Sequence, residues 1–196
     1  MTITVIGTAK TRGLRPLWVL EEIGLAYDQE AEFPRSDRAF ELNPLGTVPI
    51  LLDGDIKITD SIAMLYYLSD KTGQLTFPAG TQERADLDAR INFLTTDLEA
   101  PLWVKAKHSF VLPEEDRVIE AKAPAQAEFH RAEARFATLL GDSEFLVGDR
   151  FTIADIVAGH LARWATNDGT GIENPIYAAY FERLKTRPSW QRANEK

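Results

Sequence analysis

At 196 residues the chain can hold one large domain or two small ones sharing an interface. Its formal net charge of −8, with no basic stripe to offset it, argues against nucleic acid as a partner, and no apolar run approaches the roughly 20 residues that cross a bilayer. It contains no cysteine, so disulfides and thiol chemistry of its own are excluded; any thiol at work must arrive with a substrate. The opening MTITVIGTAK lacks the apolar core of a signal peptide and leads directly into a strand pattern, which points to a cytoplasmic protein.

Taken in order, residues 2–6 alternate as a strand and residues 7–13 form a polar, turn-rich loop carrying Lys10 and Arg12. From Leu14 the spacing of Leu14, Leu17, Trp18 and Leu20 is helical. Pro16 is tolerated in the first turn, and Gly24 stops the helix. Residues 27–33 alternate again, and residues 40–43 are at most a short helix. Asn43-Pro44-Leu45-Gly46 reads as a loop, residues 49–52 as a short apolar strand, Asp53-Gly54 as a hairpin turn and residues 56–59 as a half-buried strand. Asp60-Ser61 then opens an apolar-periodic helix with a short polar side chain at its start. Strand, helix, strand, irregular helix, hairpin and helix make a βαβ unit followed by ββα, an order that resembles the thioredoxin fold.

Residues 73–80, with two glycines and a proline, read as a linker. Beyond them the pattern is helical to the end. One long helix is expected over residues 81–107, with a kink at Pro101, and a second over residues 114–140, with a bend at Pro124. The helix of residues 152–165 is the best defined: Ile153, Ile156, Val157, Leu161 and Trp164 share one face, and Thr152 with Asp155 forms a capping-box variant. The expected architecture is therefore an α/β thioredoxin-like N-terminal domain (residues 1–73), a linker (74–80) and an all-α C-terminal helical domain (81–196).

Two features of the first half bear on chemistry. Val48-Pro49 sits at a strand start, where proline's missing N–H is tolerated. A cis bond there would leave the Val48 backbone free to pair with an extended peptide. The helix start at Asp60-Ser61 offers free N–H groups and a favourable dipole to a carboxylate.

NPLGTVPIL followed by ITDSIAMLYYL resembles the glutathione-binding half of the glutathione transferase family, and FLVGDRFTIAD resembles its helical-domain signature. The resemblance implies a cis proline at Pro49, pairing of the Val48 backbone with the cysteinyl part of glutathione, and capture of the γ-glutamyl end by Asp60 and Ser61. Asp60 is a methylene shorter than the usual Glu or Gln, and Thr47 stands where many members have Lys. The family's theta-like and bacterial members place a Ser four residues before an Arg at the start of the first helix. The matching pair here is Thr11 and Arg15. Thr11 is thus the candidate donor to the thiolate, Thr8 the alternative, and Arg15 a source of favourable field. Lys10, Arg12 and Arg35 are candidates for the glycine carboxylate, since an acidic protein needs local positive charge to attract an anion.

Trp103, His108, Phe110 and Trp164 are candidates for the wall of a pocket taking a small apolar electrophile. His108, His130 and His160 lack metal-ligand spacing, and no metal is expected. Thr152 and Asp155 are read as caps. The resemblance implies a glutathione transferase using glutathione as co-substrate. It also implies a homodimer, with the helices starting at Ser61 and Thr81 at its interface. A related glutathione-dependent peroxidase, isomerase or ether-cleaving lyase, or a non-catalytic binding module on the same fold, is the alternative.

Overall fold

The structure is a computed structural model and describes residues 2–196. Its four strands are β1 (Ile3–Ile6), β2 (Tyr27–Glu30), β3 (Ile50–Asp53) and β4 (Ile56–Ile58). Three helices accompany them: α1 (Leu14–Ile23), α2 (Asp37–Leu42) and α3 (Ser61–Thr72). The sheet order is β2-β1-β3-β4. β1 runs parallel to β2 with Ile3 opposite Tyr27, and antiparallel to β3 with Ile6 opposite Ile50. This is the expected thioredoxin-like arrangement. Val5, Ile6, Ile50 and Leu51 from the sheet, Leu14, Leu17, Trp18 and Leu20 from α1, and Met64, Leu65 and Leu68 from α3 are all fully buried. Burial of each such side chain contributes about 1.5–3 kcal/mol relative to exposure.

The hairpin differs from expectation by one residue. Asp53 is the last residue of β3 and lies opposite Ile56, so the turn residues are Gly54 and Asp55, with Gly54 at φ +60°. The cause is tertiary: Tyr67 Oη donates to the Asp53 carboxylate at 2.8 Å and Lys71 pairs with it, which holds Asp53 in the strand. Those two partners also keep the Asp53 carboxyl below its usual range.

Chain contacts define two compact units. One runs to Ala79 and also takes in Leu184–Lys196; the other is Gly80–Arg183. The second unit contains α4 (Gln82–Phe93), α5 (Ala100–Ala106), α6 (Lys122–Leu140), α7 (Ile153–Asn167) and most of α8 (Pro175–Lys185). The expected long helix over residues 81–107 is broken by a π-helical stretch, Leu94–Glu99, just before Pro101. Proline lacks an N–H and crowds the carbonyl four residues back, and a widened turn relieves both problems. Thr95 and Thr96 hydroxyls donate to the Ile91 and Asn92 carbonyls there, at 3.0 and 2.8 Å. The second long helix starts at Lys122 rather than residue 114; two short 3₁₀ turns precede it. Pro124 therefore lies in the first turn of α6, where its missing N–H costs nothing, and is not a bend.

α7 has the predicted capping box. Thr152 Nα donates to Asp155 at 2.7 Å, and the Thr152 hydroxyl oxygen accepts from Ala154 Nα at 3.3 Å. The last helix, α9 (Pro188–Asn194), packs on α1 in the first unit. Trp190 meets Trp18 edge-on at 4.7 Å, Trp18 Nε1 donates to Ser189 Oγ at 3.1 Å, and Arg187 and Arg192 pair with Glu22 and Glu21.

Candidate functional site

The candidate site is assembled in the first unit from the loop after β1, the chain before β3 and the start of α3. The Val48–Pro49 peptide is cis. Among the described residues, none hydrogen-bonds the Val48 N–H or carbonyl, because sheet pairing between β1 and β3 ends at Ile6 and Ile50. The free edge is held in place by Asn43, whose Nδ2 donates to the Thr47 carbonyl at 3.2 Å and to the Thr47 hydroxyl at 2.7 Å. The Asn43 carboxamide oxygen accepts from Leu45 Nα at 3.1 Å, which closes the turn. Arg35, at φ +69°, donates its N–H to the Gly46 carbonyl at 2.7 Å and so ties its own loop to the same segment.

At the start of α3 the Asp60 carboxylate accepts from Ala63 Nα at 2.9 Å as the N-cap. Ser61, 4% exposed, accepts from Arg15 Nη1 at 3.1 Å. Arg15 is itself buried, so its guanidinium adds positive charge to the same end of α3 that the helix dipole already favours for an anion. The structure thus brings Arg15 and Ser61 together, although they are 46 residues apart in sequence.

The loop after β1 is compact. Gly7 donates to the Glu30 carbonyl at 2.9 Å and accepts from Gln29 Nε2 at 2.9 Å. The Thr8 carbonyl accepts from Thr11 Nα at 3.1 Å and from the Thr11 hydroxyl at 3.0 Å. The Thr11 oxygen in turn accepts from Gly13 Nα at 3.1 Å. Lys10 and Arg35 are exposed, and their side chains form no hydrogen bond or ion pair with another described residue. Arg12 is half-buried.

Of the four electrophile-pocket candidates, the second unit brings Trp103 and Trp164 together edge to face, with ring centroids 6.5 Å apart. His108 Nδ1 accepts from Val118 Nα at 3.1 Å, and Phe110 is exposed. His160 is buried and packs on Trp164 at 6.0 Å. Among the described residues no cluster of three or more His, Cys, Asp or Glu is placed to hold a metal, and no helix is long and apolar enough to cross a membrane.

Sequence reasoning missed Asn43 as the clamp of the free edge and Gly7 as its neighbour. A β-carbon on Gly7 would lie 3.4 Å from Pro49 Cα. The signal for Asn43 was present, since an Asn before Pro-x-Gly commonly bonds its own turn.

The first unit is a βαβ–ββα arrangement with a free backbone edge at Val48, and a helical unit follows it in the chain, the order in which two family models match. Residues 12–71 match the Glutathione S-transferase, N-terminal domain family, and residues 109–183 the Glutathione S-transferase, C-terminal domain family. The chain is 30% identical over 161 residues to glutathione S-transferase GstA of Escherichia coli O157:H7, covering 80% of this chain and 77% of that protein. It is 32% identical over 133 residues to glutathione S-transferase theta-2B of Homo sapiens, covering 63% of this chain and 53% of that protein. The crystal structure of the theta class glutathione S-transferase from Xanthomonas axonopodis pv. citri, with glutathione bound, superposes with a TM-score of 0.81 at 27% identity, over 100% of this chain and 98% of that one. The chain belongs to the glutathione S-transferase family.

Proposed function

We propose that this protein binds glutathione on the Val48 edge and transfers it to small apolar electrophiles. The observation that carries this reading is the Val48 backbone, to which no described residue hydrogen-bonds, in the same unit as the α3 start where the buried Arg15 guanidinium meets Ser61. The cysteinyl residue of glutathione pairs with Val48 as a short added strand. Its γ-glutamyl carboxylate lies at the α3 start with Ser61 and the buried Arg15 charge, and Asp60 accepts from the γ-glutamyl ammonium. Lys10 and Arg35, the exposed cations of the two adjoining loops, are assigned to the glycine carboxylate. Thr47 borders the same groove.

A free thiol of pKa about 8.5 is only a few per cent ionised near neutrality, so the site must favour the anion. A hydroxyl of the β1–α1 loop donates to the sulfur, and the Arg15 field assists. With 1-chloro-2,4-dinitrobenzene as the probe electrophile, the thiolate forms the carbon–sulfur bond and chloride leaves with the carbon–chlorine electron pair.

The test is calorimetric titration with glutathione together with turnover of 1-chloro-2,4-dinitrobenzene. Wild type is expected to bind and to turn over. Ser61→Ala is expected to weaken glutathione about tenfold, the size of one charge-assisted hydrogen bond. Binding without turnover by wild type would favour the non-catalytic module, and no binding would end the reading.

A further inference from the structure

Two threonines share the loop after β1, and their hydrogen-bond bookkeeping differs. A threonine hydroxyl has one proton to give and can accept twice. The Thr11 hydroxyl donates that proton to the Thr8 carbonyl at 3.0 Å and accepts from Gly13 Nα at 3.1 Å, so it is bonded in both directions and closes the loop onto α1. The Thr8 hydroxyl only accepts, from Lys10 Nα at 3.2 Å; among the described residues nothing takes its proton. An N–H donated to a hydroxyl oxygen polarises the O–H and makes it a better donor.

Position favours Thr8 as well. Its neighbour Gly7 lies against the cis-proline segment: a β-carbon there would be 3.4 Å from Pro49 Cα and 3.7 Å from Val48 Cβ. Thr8 thus follows directly on the residue that adjoins Val48, whose backbone receives the cysteinyl part of glutathione in the reading above. At 6% exposure it sits where a hydrogen bond to an anion is screened little by water.

We propose that Thr8 is the catalytic hydroxyl, donating to the glutathione sulfur and stabilising its thiolate, and that Thr11 is a positioning residue that fixes the Thr8 carbonyl and the loop. This assignment rests on the glutathione-binding reading above.

The experiment is a pH titration of the thiolate absorbance of glutathione bound to wild type and to the variants Thr8→Val, Thr8→Ala, Thr8→Ser and Thr11→Val, with glutathione affinity measured alongside. Thr8→Ala and Thr8→Ser are both smaller than threonine and differ from each other by one oxygen, so their contrast holds even if the isosteric Thr8→Val folds poorly. Expected is a rise of about 1–2 units in the pKa of the bound thiol in Thr8→Val and Thr8→Ala, its retention in Thr8→Ser, and a corresponding fall in kcat of about 10- to 100-fold. Thr11→Val is expected to weaken glutathione binding through the loosened loop while the bound thiol keeps the wild-type pKa. A raised thiol pKa in Thr11→Val with an unchanged one in Thr8→Ala would overturn the assignment and leave the glutathione reading intact. A wild-type protein that does not bind glutathione would sink both.

Discussion

Gly13→Ala should destabilise the protein by about 1–3 kcal/mol and cut glutathione affinity at least tenfold, although the same change at most helical glycines is favourable. Gly13 has helical dihedrals, φ −59° and ψ −26°, so backbone conformation gives no reason to avoid a side chain. Replacing such a glycine by alanine ordinarily stabilises by about 0.4–1 kcal/mol, because the unfolded chain loses freedom. Here the sign reverses for a steric reason. A β-carbon at position 13 would lie 2.5 Å from the Thr8 carbonyl oxygen and 3.0 Å from Thr8 Nα. The obstacle is backbone, so no side chain can rotate away. That same carbonyl accepts from Thr11 Nα and the Thr11 hydroxyl, and relieving the clash breaks or lengthens both bonds. The change therefore propagates to Thr8 and to its alignment with Val48. Thermal unfolding and glutathione titration of Gly13→Ala test the point together. An equally stable variant with wild-type affinity would mean the loop tolerates the shift and is not the rigid element described here.

The parts legible in the sequence are those whose cause is local. α7 was readable because its apolar spacing and its capping box lie within one short segment, and both appear in the structure. α1 and its Gly24 stop were readable for the same reason, with Gly24 at φ +73°. The free Val48 edge was a weaker case: residue types alone pointed only to a strand start at Pro49, and the cis bond came from family resemblance. What stayed hidden depends on partners far away. The docking of α9 on α1 relies on Arg187 and Arg192 meeting Glu22 and Glu21, more than 160 residues earlier, and each of these reads in sequence as a surface charge. The link between Arg15 and Ser61 is of the same kind. The difference between Thr8 and Thr11 is finer still, because both are threonines in one loop. Only the orientation of their hydroxyls, set by the folded turn, separates a bonded proton from an available one.

Asp155→Ala should cost about 3–5 kcal/mol, the largest loss expected from any single change considered. The carboxylate is fully buried and accepts from Thr152 Nα at 2.7 Å, Leu146 Nα at 3.0 Å, the Thr152 hydroxyl at 3.1 Å and the Tyr180 hydroxyl at 2.5 Å. It therefore joins the start of α7, the segment before it and α8 through one side chain. Alanine leaves two backbone N–H groups and a buried phenol with no acceptor, and each such group costs about 1–3 kcal/mol. Asp155→Asn preserves the volume but must turn an amide donor toward one of those donors, so it too should be clearly destabilised. Burial pushes the Asp155 carboxyl above its ordinary range despite these hydrogen bonds, and it pushes Tyr180 well up as well. The sign matters for acid stability. A carboxyl whose pKa is raised by folding takes up its proton in the folded state first, so lowering the pH through that raised value adds stability from this group. Acid unfolding must then come from groups such as Asp53 and Glu30, whose carboxyls are held low by Lys71 and Arg38 and whose contributions vanish as the pH falls. Denaturant unfolding of wild type and Asp155→Ala, at neutral pH and at pH about 4.5, resolves both statements. A loss below about 1 kcal/mol at neutral pH would show that water or a relaxed loop replaces the carboxylate, and the linchpin role would be untenable.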